Sequence, residues 1–478
     1  MTMPDFDYAT ADATGLAAAI RQGVLTPSEA VAEAFAAIRR VNPRLNAVIL
    51  EMEEEAREQL RALPEQAALR GVPILLKDDC PSYAGVAMSF GCRAAVGNVS
   101  DADHEIVARY RAAGLVMVGK TNLPEMSCNV ATEPSLHGPA LNPWNVDRSV
   151  GGSSGGAAAA VASGMVPVAY GNDGAGSIRI PASCTGLFGL RPSRARVACG
   201  PVSSENWGGL VSHHVLTRSV RDSALMLDLT DAPEAGALYA APAKEAPFVS
   251  AVKRAPARLR IGMTLETGLG IPVAGEVAEA MERAADRMRS LGHDVFTVAL
   301  RHDPAALADA LTRLIAAYTA NEVDDIAAST GRPRDDLNFE PANLGLADYG
   351  RSLSGPEVLK ARGLANSVAR AFGQVFSGCE LIMAPVMPCL PLPVGALDVR
   401  DADWRAFVTR LMDVTVFTHP VNAAGIPAMS VPMEQSVEGL PIGVQFMAPY
   451  GGEALLLSLA AQIERAFPWA DRRPPIHA

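Results

Sequence analysis

An α/β sheet with helices packed on both faces is expected here on three grounds. From residue 71, short apolar runs alternate with helical segments: "GVPILLKD", "DHEIVARYRAAG", "LVMVGKTN", "GGAAAAVASGM" and "VPVAYGND" read strand, helix, strand, helix, strand. The strand-like runs are continuously apolar, as strands buried on both faces are. Finally, 478 residues with 49% hydrophobic and 19% charged side chains are enough for one large hydrophobic core.

The elements follow in order. "LTPSEAVAEAFAAIRRVN" carries a helix start: Thr26 as cap, Pro27 in the first turn and Glu29 three residues after the cap, with Val31, Phe35 and Ile38 recurring at helical spacing. The alternating region 71–200 comes next. The Ala/Pro-rich "DAPEAGALYAAPAKEAPF" opens a surface excursion over 231–258 and does not mark a domain boundary. Beyond it, "LRIGMTL", "GEVAEAMERAADRMRSLG" and "HDVFTVAL" read strand, helix, strand. Residues 301–378 are mostly helical, and the variable-looking 301–420 region is expected to cap a substrate pocket. "ELIMAPVMP" and "PAMSVPM" resume the sheet, and "EALLLSLAAQIERAF" closes the chain as a helix. One domain over 1–478 accounts for this order.

Composition excludes several functions. A net charge of −11 argues against nucleic-acid or anionic-membrane partners. Seven scattered cysteines without a C-x-x-C pair suggest reduced thiols, neither a disulfide framework nor a zinc site. The acidic "MTMPDFDYATADATG" lacks the features of a signal peptide, and no apolar run is long enough to span a bilayer. A soluble cytoplasmic protein is expected.

Three motifs mislead. "GLVMVGKT", Gly114 to Thr121, satisfies the phosphate-loop pattern, but its four middle residues read as a buried strand and no helix begins at Lys120. "SAVK", Ser250 to Lys253, matches the S-x-x-K of penicillin-recognising enzymes yet lies among prolines and lysines. His213-His214 is a pair without metal-site spacing, so no metal and no cofactor is expected.

"VGGSSGG", Val150 to Gly156, looks like a linker, but it lies inside the most strand-rich region and runs into a small-residue helix. Its glycines permit close backbone approach, and a helix starting after Gly155 aims free N–H groups at the loop. A second cluster, "NDGAGSIRIP", follows "VPVAY"; two such loops at neighbouring element ends make a pocket floor. A serine nucleophile needs a base. Lys77 follows four apolar residues, and burial lowers a lysine pKa toward the neutral amine a base requires. Taken alone, Lys77 serves equally well as an ion-pair partner of Asp78 or another neighbour.

Together these residues resemble the amidase signature family of serine amidases. The resemblance is close from Gly71 to Pro192, in "GVPILLKD", "AGVAMSFGC", "GKTNLPEM", "NPWN", "GGSSGGAAAAVASG" and "GNDGAGSIRIPASCTGLFGLRPS". It is weaker in "GIPAMSVPMEQSVEGLPIGVQFMAP". It implies a central mixed twisted β-sheet covered by helices on both faces. It also implies a Ser–cisSer–Lys triad: Ser177 as nucleophile, Ser153 as bridging serine after a cis Gly152–Ser153 bond, and Lys77 as ultimate base. The backbone N–H groups of Gly174, Ala175 and Gly176 correspond to the oxyanion hole. Gly152, Ser154, Asp173 and Arg179 match supporting positions, the last two bracing the nucleophile loop. Two departures stand out: Ala175 replaces a common glycine, and Val150 a common proline.

The implied activity is hydrolysis of a carboxylic amide of a small molecule through an acyl-enzyme; aryl amides, esters, carbamates and cyclic amides share the same attack. The alternative is the glutaminase subunit of a tRNA-dependent amidotransferase, which commonly reads S-I-R-Q-P; the apolar Ile180 in "SIRIP" favours the general amidase. Homodimers are common in the family.

Overall fold

The apolar runs become strands of one sheet. The computed structural model describes residues 6–201 and 203–478. The strands are β1 (Val48–Glu51), β2 (Pro73–Lys77), β3 (Val116–Thr121), β4 (Val168–Asp173), β5 (Phe188–Arg191) and β6 (Ser212–Thr217). They continue with β7 (Arg260–Met263), β8 (Asp294–Thr297), β9 (Leu381–Pro385), β10 (Ala428–Gln435) and β11 (Pro441–Met447). Their order across the sheet is β1-β3-β2-β4-β6-β5-β10-β11-β9-β7-β8. Strands β3, β2 and β4 are mutually parallel, as are β9, β7 and β8, while the centre from β4 to β9 pairs antiparallel. The sheet is therefore mixed, in a single α/β domain.

Local signals hold where expected. Helix Pro27–Leu45 begins at Thr26 with a capping box closed by Glu29. The segment 301–378 contains helices Pro304–Thr330, Pro341–Ser352 and Gly355–Phe376. Val116–Thr121 of the phosphate-loop lookalike is a strand buried along its whole length. In the 231–258 stretch, Leu238 and Tyr239 are exposed while Phe248 anchors in the core. No helix of the described residues is long and apolar enough to cross a membrane.

Two of the three buried hydrophobic clusters are large. One gathers the N-terminal helices, the small-residue helix Gly155–Ala162 and strands including β2, β3 and β4. The other lies under the helical segment and includes Leu307, Leu311, Leu314, Phe372, Phe407 and Val421. In β2, Ile74, Leu75 and Leu76 are fully buried, each contributing about 1.5–3 kcal/mol. That holds the strand's last residue, Lys77, inside the protein. Strands β2 and β4 run parallel, so Lys77 and Asp173 close both strands at the same edge of the sheet. The carboxyl ends of such strands are where α/β sheets place their ligand crevices.

Candidate active site

Lys77 is fully buried, yet its amine is surrounded by oxygen. Its Nζ donates to Ser153 Oγ at 2.7 Å and to Asn172 Oδ1 at 2.7 Å, and lies 3.1 Å from Asp79 Oδ2. Asp79 also accepts from the Asn172 amide at 3.0 Å and from the Ser127 hydroxyl. Burial pushes the Lys77 ammonium below the usual lysine range, and the Asp79 carboxylate works in the opposite direction. Burial would raise the Asp79 carboxyl, but the Lys77 charge and the hydrogen bonds outweigh it and hold it below its ordinary value. The first ion-pair partner suggested for Lys77, Asp78, faces Ser89 and the buried Lys120 instead.

The glycine–serine run is a turn between elements. The Gly152–Ser153 peptide bond is cis. Ser154 precedes the helix Gly155–Ala162, and its hydroxyl exchanges hydrogen bonds with the Asn172 backbone, tying that helix to β4. A Cβ at Gly156 would stand 2.5 Å from the Asn122 nitrogen, so only glycine lets this helix approach the end of β3 so closely.

Asp173, at the end of β4, organises the second loop. Its carboxylate accepts from the N–H of Gly176 at 2.8 Å and of Ile178 at 3.2 Å, and forms two 2.9 Å bonds with the Arg179 guanidinium. Arg179 also reaches Gln445 at 2.6 Å and Asn422, and Asn422 returns a bond to Asp173. Both charged side chains are 0% exposed. Burial alone would raise Asp173; the Arg179 charge and this network hold it well below the usual carboxylate range. Thr418 donates to the Ala175 carbonyl at 2.6 Å. Gly176 has φ of +124°, and a Cβ there would meet Thr418 Oγ1 at 2.6 Å, so glycine is required on both counts.

Ser153, Asn172, Gly174, Ala175 and Ser177 open onto one cavity of about 710 Å³, a size suited to a small organic ligand. Ser153 and Ser177 are buried residues at its wall. Among the described residues, the Lys77–Ser153 bond is present, and the Ser177 hydroxyl carries no protein hydrogen bond. The N–H groups of Gly174, Ala175 and Ser177 likewise have no described protein acceptor. Gly176 differs from its expected part as a donor: its N–H is engaged by Asp173.

The rest of the cavity lining comes from other segments. Phe90 and the run Met126, Ser127, Cys128 and Asn129 line it, as do Thr312, Ile315 and Tyr318 of the helix Pro304–Thr330. Thr418 acts on the loop beneath the cavity, through its bond to the Ala175 carbonyl. The stretch Ser203–Val211, with Glu205 and Trp207, lines it without any prior sign in the sequence. His213 and His214 are both buried and serve separate partners, Tyr170 with Asn206 and Ser223 respectively.

Asp79, Asn172, Thr418, Asn422 and Gln445 were not evident as site residues from sequence. Only Asp79, two residues after Lys77 in "KDD", carried a local signal.

A family model for amidases matches residues 29–457. The 6-aminohexanoate-cyclic-dimer hydrolase of Paenarthrobacter ureafaciens is 37% identical over 97% of this chain and 96% of that enzyme. The solved structure of a 6-aminohexanoate cyclic dimer hydrolase complexed with substrate matches at a TM-score of 0.93 and 34% identity, covering 98% of this chain and 100% of the other. A bacterial aryl acylamidase belonging to the amidase signature enzymes matches at 0.87 and 27% identity, covering 96% and 97%.

Proposed function

The chain belongs to the amidase signature family and hydrolyses amide carbon–nitrogen bonds; we propose that it does so on small molecules, cyclic amides among them, through covalent catalysis by Ser177. The observation that carries this reading is the 2.7 Å contact between the buried Lys77 amine and Ser153, beside a cavity that Ser153 and Ser177 both line.

The chemistry runs as a proton relay. Ser177 Oγ attacks the amide carbon while its proton passes to Ser153, whose own proton moves to neutral Lys77. Burial favours the neutral amine, as a base in this position requires. The tetrahedral intermediate places negative charge on the former carbonyl oxygen. The N–H groups of Gly174 and Ala175, with that of Ser177, are the donors on offer; Gly176 contributes by shaping the loop. Donors of this kind are worth about 3–4 kcal/mol each in a transition state. Collapse breaks the C–N bond, and the proton returns from Lys77 through Ser153 to the departing nitrogen. Water then takes the place of the amine, attacks the ester on Ser177 by the reverse relay, and releases the carboxylic acid.

Asp173 and Arg179 position the loop and do not touch substrate. The 301–420 region, from which Thr312, Ile315, Glu322, Leu346, Val408 and Leu411 reach the cavity, acts as its cap. Likeness to the cyclic-dimer hydrolases over nearly the whole chain supports cyclic amides, and the aryl acylamidase supports anilides.

The test is hydrolysis by the purified single chain of an aliphatic amide, an anilide, a cyclic amide, a carbamate and glutamine, with Ser177→Ala as control. Serine-dependent turnover of any of the first four is expected. Activity on glutamine alone, or only with a partner added, overturns the reading in favour of the amidotransferase subunit.

A further inference from the structure

Four carboxylates line the cavity, and no lysine or arginine does among the described residues. Three are already answered. Asp79 meets Lys77, Ser127 and Asn172 through Oδ2, while its Oδ1 has no partner among the described residues; Glu205 pairs with Arg362 at 3.0 Å; Asp325 accepts from the Asn321 amide at 2.8 Å. Glu322 is different. It has neither an ion pair nor a hydrogen bond with a described residue, and burial acts on it most strongly.

Its place makes that lack consequential. Glu322 lies on the helix Pro304–Thr330, where Ile315, Tyr318, Glu322, Asp325 and Ser329 recur at three- and four-residue intervals and form one face toward the cavity. It is partly reachable from the cavity, and of the neighbouring charges Asp79 acts on it most strongly. The acid therefore shares the cavity with Asp79, the residue that contacts the Lys77 amine.

Burial pushes the Glu322 carboxyl up to about 8, with Asp79, Glu125 and Asp325 adding to the rise and Lys77 opposing it. An unanswered acid in an acid-lined cavity is complementary to one kind of ligand group. A cation arriving beside it restores the anion and makes a charge-assisted hydrogen bond, while a second carboxylate there meets repulsion.

We infer that Glu322 is a specificity-determining residue that receives an ammonium group of the substrate, so that the preferred amides carry a primary amine away from the scissile carbonyl. This rests on the reading of Ser177's cavity as the site of hydrolysis. The ammonium stands on the acyl side or on the amine side of the amide, and the two arms of the test separate these.

The experiment is calorimetric binding at pH 7 to the full chain carrying Ser177→Ala. The acyl-side pair is 6-aminohexanamide and its neutral isostere heptanamide; the amine-side pair is N-(5-aminopentyl)acetamide and N-hexylacetamide. In at least one pair the ammonium ligand binds at least about tenfold more tightly than its isostere, the scale of a hydrogen bond to a charged group. Adding Glu322→Gln brings that ratio close to one, and Glu322→Asp, which keeps the charge, retains part of it. The inference is overturned if neither ammonium ligand is preferred, or if the preference survives Glu322→Gln. Because binding is read without turnover, the two readings fail separately. An ammonium preference in a chain whose hydrolysis does not depend on Ser177 overturns the proposed function alone. Serine-dependent hydrolysis with no ammonium preference overturns this inference alone.

Discussion

The two walls of the cavity are made of different material. One, between residues 71 and 192, consists of strand ends and glycine-rich loops whose polar groups are buried and tied down: Lys77 contacts three oxygen-bearing side chains and Arg179 four residues. The other, from the helices Pro304–Thr330 and Trp404–Val414, presents Ile315, Val408, Leu411 and Met412 beside polar side chains with few partners. A buried charge is tolerated only with its partners in place, so the first wall admits little change. Apolar packing accepts substitution of similar volume, so the second can vary. Rate should therefore be set by the first wall and substrate preference by the second.

The severest test of this division removes the groups proposed to react. Ser177→Ala should lower kcat by at least about 10⁴-fold, on the scale of losing a catalytic nucleophile. Lys77→Ala should follow closely, and Ser153→Ala should cost at least about 10²-fold, as expected for lost proton transfer. Steady-state kinetics on one amide, with Ser177→Ala as the floor, gives the order. Full activity in Lys77→Ala would sink the relay.

Next comes the brace beneath Ser177. Arg179→Met leaves the Asp173 carboxylate buried without its cation, which should cost about 3–5 kcal/mol of stability. Urea unfolding measures it. A loss below about 1 kcal/mol, the scale of an exposed pair, would mean that the loop does not depend on this ion pair.

The legibility of the two walls differs for the same physical reason. Lys77, Ser153 and Ser177 sit in stretches whose composition is unusual locally: a lysine ending an apolar run, and glycine–serine clusters between strand and helix. The Thr26–Glu29 capping box was equally readable because both partners lie within one turn. What holds Lys77, Ser153 and Ser177 in place was not. Asn172 is 95 residues from Lys77, Gln445 is 266 from Arg179, and Thr418 is 243 from Ala175. Such contacts arise only from the strand order. The orientation of the Gly176 N–H is also a product of folding, since it follows from Asp173 bending back over its own loop. On the helical wall, the face containing Ile315 and Tyr318 has the spacing of any core-facing stripe, and nothing local tells a cavity from a core.

A smaller effect separates the proposed base from its neighbour. Lys77 must be neutral to accept a proton, so kcat/KM should rise as pH climbs through its pKa, which burial places below the ordinary lysine value. The Asp79 anion stabilises the ammonium and so raises that pKa. Asp79→Asn removes the anion, and the acid limb of the pH–rate profile should move to lower pH. A limb that stays in place, or moves upward, would show that Lys77 does not govern it.

The smallest effect is expected on the helical wall. Leu411 lines the cavity and is only partly buried, so Leu411→Ala makes that wall recede without opening a void in the core. Alanine also preserves the helix Trp404–Val414. A bulky aryl amide should gain kcat/KM relative to a small aliphatic amide, by roughly three- to tenfold, the range of modest changes in an apolar pocket. The ratio of the two substrates is the proper readout, because a general loss of stability lowers both rates together and leaves it unchanged. If both rates fall equally and the melting temperature falls with them, Leu411 is packing. The helical wall would then be as intolerant of change as the strand-end wall opposite it.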